Sequence, residues 1–181
     1  MPDQVSAVWR QILRKPQVCL VAHWNWKSGA TSAMLRGVIY FFVNLPSGFH
    51  AAGGAMLVEF SYRTFLSGAC GAVTQALRTA EPPWAAALSA MAILPMVGHL
   101  VEFTVHYFRG TPRLKSSIAT SIGFTILATL INLYAMRRGV LITGDGSSPL
   151  AQDYAALPRI IGGFIVAGPK ALYQLFRRTQ R

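Results

Sequence analysis

The placement of charge along the chain constrains its fold more than any other feature. Residues 116–136, SSIATSIGFTILATLINLYAM, carry no charged side chain and are bracketed by Lys115 and Arg137. Coiled as a helix at about 1.5 Å per residue, a run of this length matches the hydrocarbon thickness of a bilayer. Elsewhere the Lys and Arg residues gather at the ends and in short loops, and nearly charge-free stretches lie between them. The whole chain is 52% hydrophobic and only 13% charged, whereas soluble domains carry about 25% charged residues. A soluble fold so poor in charge has too few polar groups to cover its surface.

The formal net charge of +11 has two readings. Without a helix-turn-helix or zinc-finger signature, nucleic acid is not the expected partner. Anionic lipid headgroups are, because each basic residue near them contributes about 1 kcal/mol. Cys19 and Cys70 share no metal-ligand spacing and give no disulfide framework. Residues 1–15 lack an apolar core, so a cleavable signal peptide is not expected.

The order of elements follows from periodicity and breakers. Val5, Val8, Trp9, Ile12 and Leu13 share a helical stripe that excludes Arg10 and Arg14, and Pro16 stops the pattern. Residues 1–28 therefore read as an amphipathic, interfacial segment with Trp9 turned to lipid and the arginines to headgroups. Trp24-Asn25-Trp26-Lys27 has the aromatic and basic character of a bilayer interface, and His23 reads as interfacial too. Four spanning helices are expected over 29–45, 49–73, 84–108 and 116–136. Pro46-Ser47-Gly48 and Pro82-Pro83 break the chain between them, and Pro95 is a candidate kink. The remainder, 137–181, reads as a turn-rich loop and two short interfacial helices separated at Gly168-Pro169, with a fifth crossing as the competitor.

Orientation follows from counting Lys and Arg. With four crossings, one side collects both basic termini together with Lys27, Arg78, Arg137 and Arg138, and the other collects Arg109, Arg113 and Lys115. The positive-inside rule then places both termini in the cytoplasm, with a bacterial inner membrane as the expected setting.

Ionisable residues within the spans carry the functional information, since each costs several kcal/mol unless paired. In an antiparallel hairpin turning at Ser47, facing residues have numbers adding to about 94, which puts Arg36 and Glu59 at one depth. By rise per residue, both lie about 15–18 Å from the turn. Arg63 follows Glu59 by one turn on the same face. An Arg36–Glu59–Arg63 cluster is therefore expected, as a structural ion pair locking the hairpin or as part of an ion or proton path. His99, Glu102 and His106 fall within about 60° on helix three. They read as a seam of interhelix hydrogen bonds or as a ligand or proton-relay stripe. His50 lies nearly opposite Glu59 around its helix and is not assigned to either group. The runs 51–55 and 67–72 are rich in Gly, Ala and Ser and suit close helix packing, and Asn44 and Asn132 suit interhelix hydrogen bonding.

The chain thus reads as an all-α integral membrane protein, a four-helix transmembrane bundle with amphipathic interfacial helices at both ends. There is no GxSxG, HExxH, Walker loop or CxxC. No catalytic residue, metal site or cofactor is expected. The favoured reading is a structural or accessory subunit of a membrane complex, in contact with other subunits or with copies of itself. Two alternatives stand beside it. One is a small transporter or proton-coupled carrier using the intramembrane Glu, His and Arg residues. The other is a redox or lipid-modifying membrane subunit.

Overall fold

A computed structural model describes the backbone of residues 4–108 and 114–179, and the side chains of residues 4–100 and 125–167. Among the described residues the protein is all-helical. The elements are α1 (Val5–Arg14), a π-helical segment (Val18–Ala22), α2 (Trp26–Asn44), α3 (Phe49–Leu77), α4 (Pro83–Phe108), α5 (Leu114–Met136) and α6 (Leu150–Thr179).

Local chemistry sets the boundaries. The Asn25 side chain caps α2 by accepting from the Ser28 amide at 2.9 Å, which satisfies one of the orphan donors of the first turn. The hairpin between α2 and α3 closes through a 3-10 turn, Leu45–Ser47, and Gly48 at φ 99°. Only glycine takes that conformation without steric cost. Between α5 and α6, Leu141 has φ 60° although it is not glycine. A side chain is retained there because it is 2% exposed, buried in the core, while its carbonyl accepts from Asn25 Nδ2 at 2.9 Å.

Helices α2 and α3 form a close antiparallel hairpin. A Cβ added at Gly68 would fall inside the Trp24 indole, and one added at Gly71 would lie 2.5 Å from Ser28 Cβ. The small-residue run at 67–72 is therefore occupied by this chain's own α2 side. In the other run Ala52 is buried, whereas Gly53 and Gly54 meet nothing within 4 Å.

The principal buried cluster joins Val8 and Ile12 of α1 to Val73 and Leu77 of α3, Ala86, Ala90 and Leu94 of α4 and Leu133 of α5. This corrects the expected placement of α1. Its stripe is buried against the protein and not turned to lipid, and Leu13, expected on that stripe, is 78% exposed. Partly buried Cys19, Leu20 and Cys70 pack against the same cluster.

Helix α6 also departs from the expected form. It is one continuous helix from Leu150, which runs through Gly168-Pro169 instead of breaking there. Its path follows from two contacts. Asp153 meets Lys27 in the first turn of α2, and Phe164 meets Tyr134 near the end of α5, with ring centroids 5.5 Å apart. Both partners sit at the bundle end where α3 finishes, since Asn25 reaches Gln75 and Arg137 reaches the Ala80 carbonyl. About 16 Å of α6 separates the two contacts, so the helix lies across this end of the bundle and not alongside α5.

Much of the outer surface is apolar. Met34, Leu35, Val38, Phe42 and Val43 on α2 are exposed, as are Leu57, Val58 and Phe65 on α3 and Leu88, Met96 and Leu100 on α4. Exposed apolar surface of this extent marks contact with membrane or protein. One helix, α4, is long and apolar enough over Pro83–Leu100 to cross a membrane by length and composition among the described residues. In α2 and α3 the apolar surface is interrupted by Lys27, Arg36, Glu59 and Arg63, all turned inward to differing degrees.

Candidate functional site

The α2–α3 hairpin brings Arg36, Glu59 and Arg63 together. Arg63 Nε donates to Glu59 Oε1 at 2.6 Å, and Arg36 Nη1 lies 3.8 Å from the same oxygen. Glu59 and Arg63 are 9% and 8% exposed. The distances rank the two links. The short hydrogen bond is made within α3, between residues one turn apart. The cross-hairpin link to Arg36 is Coulombic and longer. At an effective dielectric of 20 such a separation still gives about 4 kcal/mol of attraction before desolvation. The Arg63 guanidinium also stands 5.3 Å from the Tyr62 ring centroid.

Beside this cluster runs a cleft of mixed polar and apolar lining with contributions from four helices. Ser28, Ser32 and Arg36 line it from α2, one turn apart in succession. Arg63, Ser67, Cys70 and Thr74 line it from α3, Gly98 and His99 from α4, and Thr125, Thr129 and Asn132 from α5. Residues four apart share a helix face, so α2 and α3 each present a polar row to the axis, alongside Leu66, Leu94 and Ala128 of the same lining. Ser67 Oγ donates to Ser32 Oγ at 2.9 Å across the hairpin. The cleft is partly open, and its volume is about 80 Å³. Sites for organic ligands are larger, about 300–1,000 Å³.

His99 is thus placed on the same cleft as Arg36 and Arg63, a convergence of two groups that the sequence presents separately. Glu102 and His106 continue α4 by backbone, and their side chains lie outside the described residues. Asn132 lines the cleft, while Asn44 Nδ2 donates to the Tyr40 carbonyl one turn back at 2.8 Å and makes no interhelix bond. His50 is exposed, and His23 contacts the Val18 carbonyl at 3.0 Å. Among the described residues no three His, Cys, Asp or Glu side chains converge as a metal-ligand set.

A second buried ion pair lies at the α1–α6 end. Lys27 Nζ is 2.7 Å from Asp153 Oδ2, and both side chains are 2% exposed. The Ser148 carbonyl also accepts from Lys27 Nζ. Thr31 Oγ1 donates to the Lys27 carbonyl at 2.7 Å and lies 3.2 Å from the Tyr154 hydroxyl. Next to it, Asn25 Nδ2 donates to Gln75 Oε1 at 2.7 Å, and Gln75 joins the Thr143 amide and carbonyl at 3.0 and 2.8 Å. The chain after α5 is thereby stitched to the start of α2 and the end of α3. These partners were missed in the sequence, where Lys27 reads as interfacial. A signal was present: a cation in the first turn of a helix opposes the helix dipole and calls for a counter-charge, and the chain has only 6 acidic residues.

No family model, curated protein or solved structure matches this chain.

Proposed function

We propose that the chain is a multi-pass integral membrane protein in which α2, α3, α4 and α5 cross the bilayer, and that it serves as a structural or accessory subunit of a membrane complex. The observation that carries the membrane reading is the extent of large apolar side chains on the outer surface of α2, α3 and α4, while ion pairs and hydroxyls are kept inside beside the apolar core. In lipid, polar groups seek partners within the bundle and apolar groups face outward at no cost. The course of α6 across one end supports an interfacial helix over a fifth crossing, and the basic residues at that end support a cytoplasmic location. The accessory role rests on the closed state of Glu59, whose one oxygen serves two guanidinium groups, and on the small volume of the cleft.

Topology is checked by labelling from outside the cell, in a background lacking Cys19 and Cys70. A cysteine replacing Ser47, in the α2–α3 turn, is expected to react, and one replacing Asp145, in the α5–α6 loop, is expected to stay protected. Reaction at Asp145 defeats the four-crossing arrangement. The accessory role is checked by purification in mild detergent followed by mass spectrometry and an absorption spectrum. A stoichiometric membrane partner and no visible chromophore are expected. A chromophore would favour a redox subunit. A lone chain that moves a solute in vesicles would favour the carrier, the second reading, which the cleft supports.

A further inference from the structure

The amino end of the Arg63 guanidinium is a set of donors that the fold leaves open to the cleft. Arg63 is 8% exposed, and its Nε is committed to Glu59. Among the described residues no hydrogen bond uses Nη1 or Nη2, and Arg63 lines the cleft. Glu59 is not part of the lining, so the carboxylate holds the guanidinium from behind and the remaining donors are left to the cleft. Its Nη atoms are not among the fully buried unpartnered atoms, so they keep access to the cleft. An anion in the cleft engages them through charge-assisted hydrogen bonds.

Part of the remaining lining fits the same ligand, beside apolar Leu66, Leu94 and Ala128. Thr129 and Asn132 offer hydroxyl and amide donors, whereas Ser67 and Thr74 already donate to Ser32 Oγ and the Cys70 carbonyl, and the described lining contains no carboxylate. Hydroxyls and amides adapt to either polarity, but two arginines sharing the single carboxylate of Glu59 leave one net positive charge beside the cleft. The volume of about 80 Å³ sets the size: by the roughly 30 Å³ share of a water, it takes two or three waters or one small inorganic anion. We infer that the cleft between α2, α3, α4 and α5 is a binding site for a small inorganic anion, held by Arg63 with Thr129 as a supporting hydroxyl. This goes beyond the accessory role, which the site neither requires nor opposes.

The full-length protein in neutral detergent tests this by thermal melting, because a ligand that binds only the folded state raises the midpoint. Nitrate, chloride and inorganic phosphate are compared with gluconate at equal ionic strength, gluconate being too large for the cleft. At least one small anion is expected to raise the midpoint above the gluconate value in a saturable way. Arg63→Lys keeps a cation for Glu59 but loses the two-pronged amino end, and Thr129→Val removes a hydroxyl at nearly constant shape. Each is expected to need about tenfold more anion for the same effect, a typical loss for one charge-assisted bond. If Arg63→Lys fails to fold, Thr129→Val alone decides. Equal midpoints in all salts overturn the proposal, as does an unchanged response in Thr129→Val. A rise produced by phosphatidylglycerol in mixed micelles and by none of the three salts also overturns it, and assigns the guanidinium to a lipid phosphate.

Discussion

Replacing Asp153 by Asn is expected to lower the melting midpoint in detergent by roughly ten degrees and to release α6. The charge pair it breaks is 98% buried on both sides, with Nζ and Oδ2 2.7 Å apart. Removing one member of such a pair strands the other in a low-dielectric setting, at a cost of about 3–5 kcal/mol. For a chain of this length each kcal/mol corresponds to about 2–4 °C. Lys27 keeps the Ser148 carbonyl, which accepts a hydrogen bond but cannot neutralise the charge. Asp153 also stands in the first turn of α6, where a carboxylate gains from the helix dipole. Release of α6 reads out as tryptic cleavage at Arg159, a site on the helix that crosses the bundle end. The double variant Lys27→Met with Asp153→Leu is expected to recover part of the loss, since two apolar side chains can replace a buried pair without the stranded charge. If Asp153→Asn melts like the parent and resists trypsin, the pair does not hold α6 in place.

Glu59→Gln is the second change with a large expected effect. It removes the carboxylate shared by Arg63 and Arg36 and is expected to cost about 3–5 kcal/mol by the same reasoning. The two distances predict which second change restores stability. Arg63 is hydrogen-bonded at 2.6 Å and 8% exposed, while Arg36 is 3.8 Å away. Arg63→Met in the Glu59→Gln background should therefore recover more than Arg36→Met. Melting curves of the two double variants in one detergent decide this. A larger rescue by Arg36→Met would mean that the cross-hairpin attraction, and not the bond within α3, dominates the cluster. Parent-like melting of Glu59→Gln would rule out the structural pair and point to a carboxylate kept for transport.

The sequence by itself determined the helices and the breaks between them. The expected spans 29–45, 49–73, 84–108 and 116–136 stand against α2 at Trp26–Asn44, α3 at Phe49–Leu77, α4 at Pro83–Phe108 and α5 at Leu114–Met136. Apolar runs, prolines and capping residues act within a few residues of their own position, so a linear reading captures them. The meeting of Arg36, Glu59 and Arg63 was legible for the same reason, because a tight turn fixes the register of a hairpin and the helical period fixes the rest. Where α1 buries its stripe was not legible, since an apolar face fits lipid or protein equally well by composition; the tertiary structure gave Val8 and Ile12 to the core. Gly168-Pro169 suggested a break, but proline removes one hydrogen bond and helices can continue through it when their surroundings hold them. The pairing of Lys27 with Asp153, 126 residues apart, and the placing of His99 on the cleft that Arg63 lines depend on how helices cross. Crossing is decided by the packing of whole helix faces, such as Trp24 over Gly68 and Tyr134 against Phe164, which no local spacing encodes.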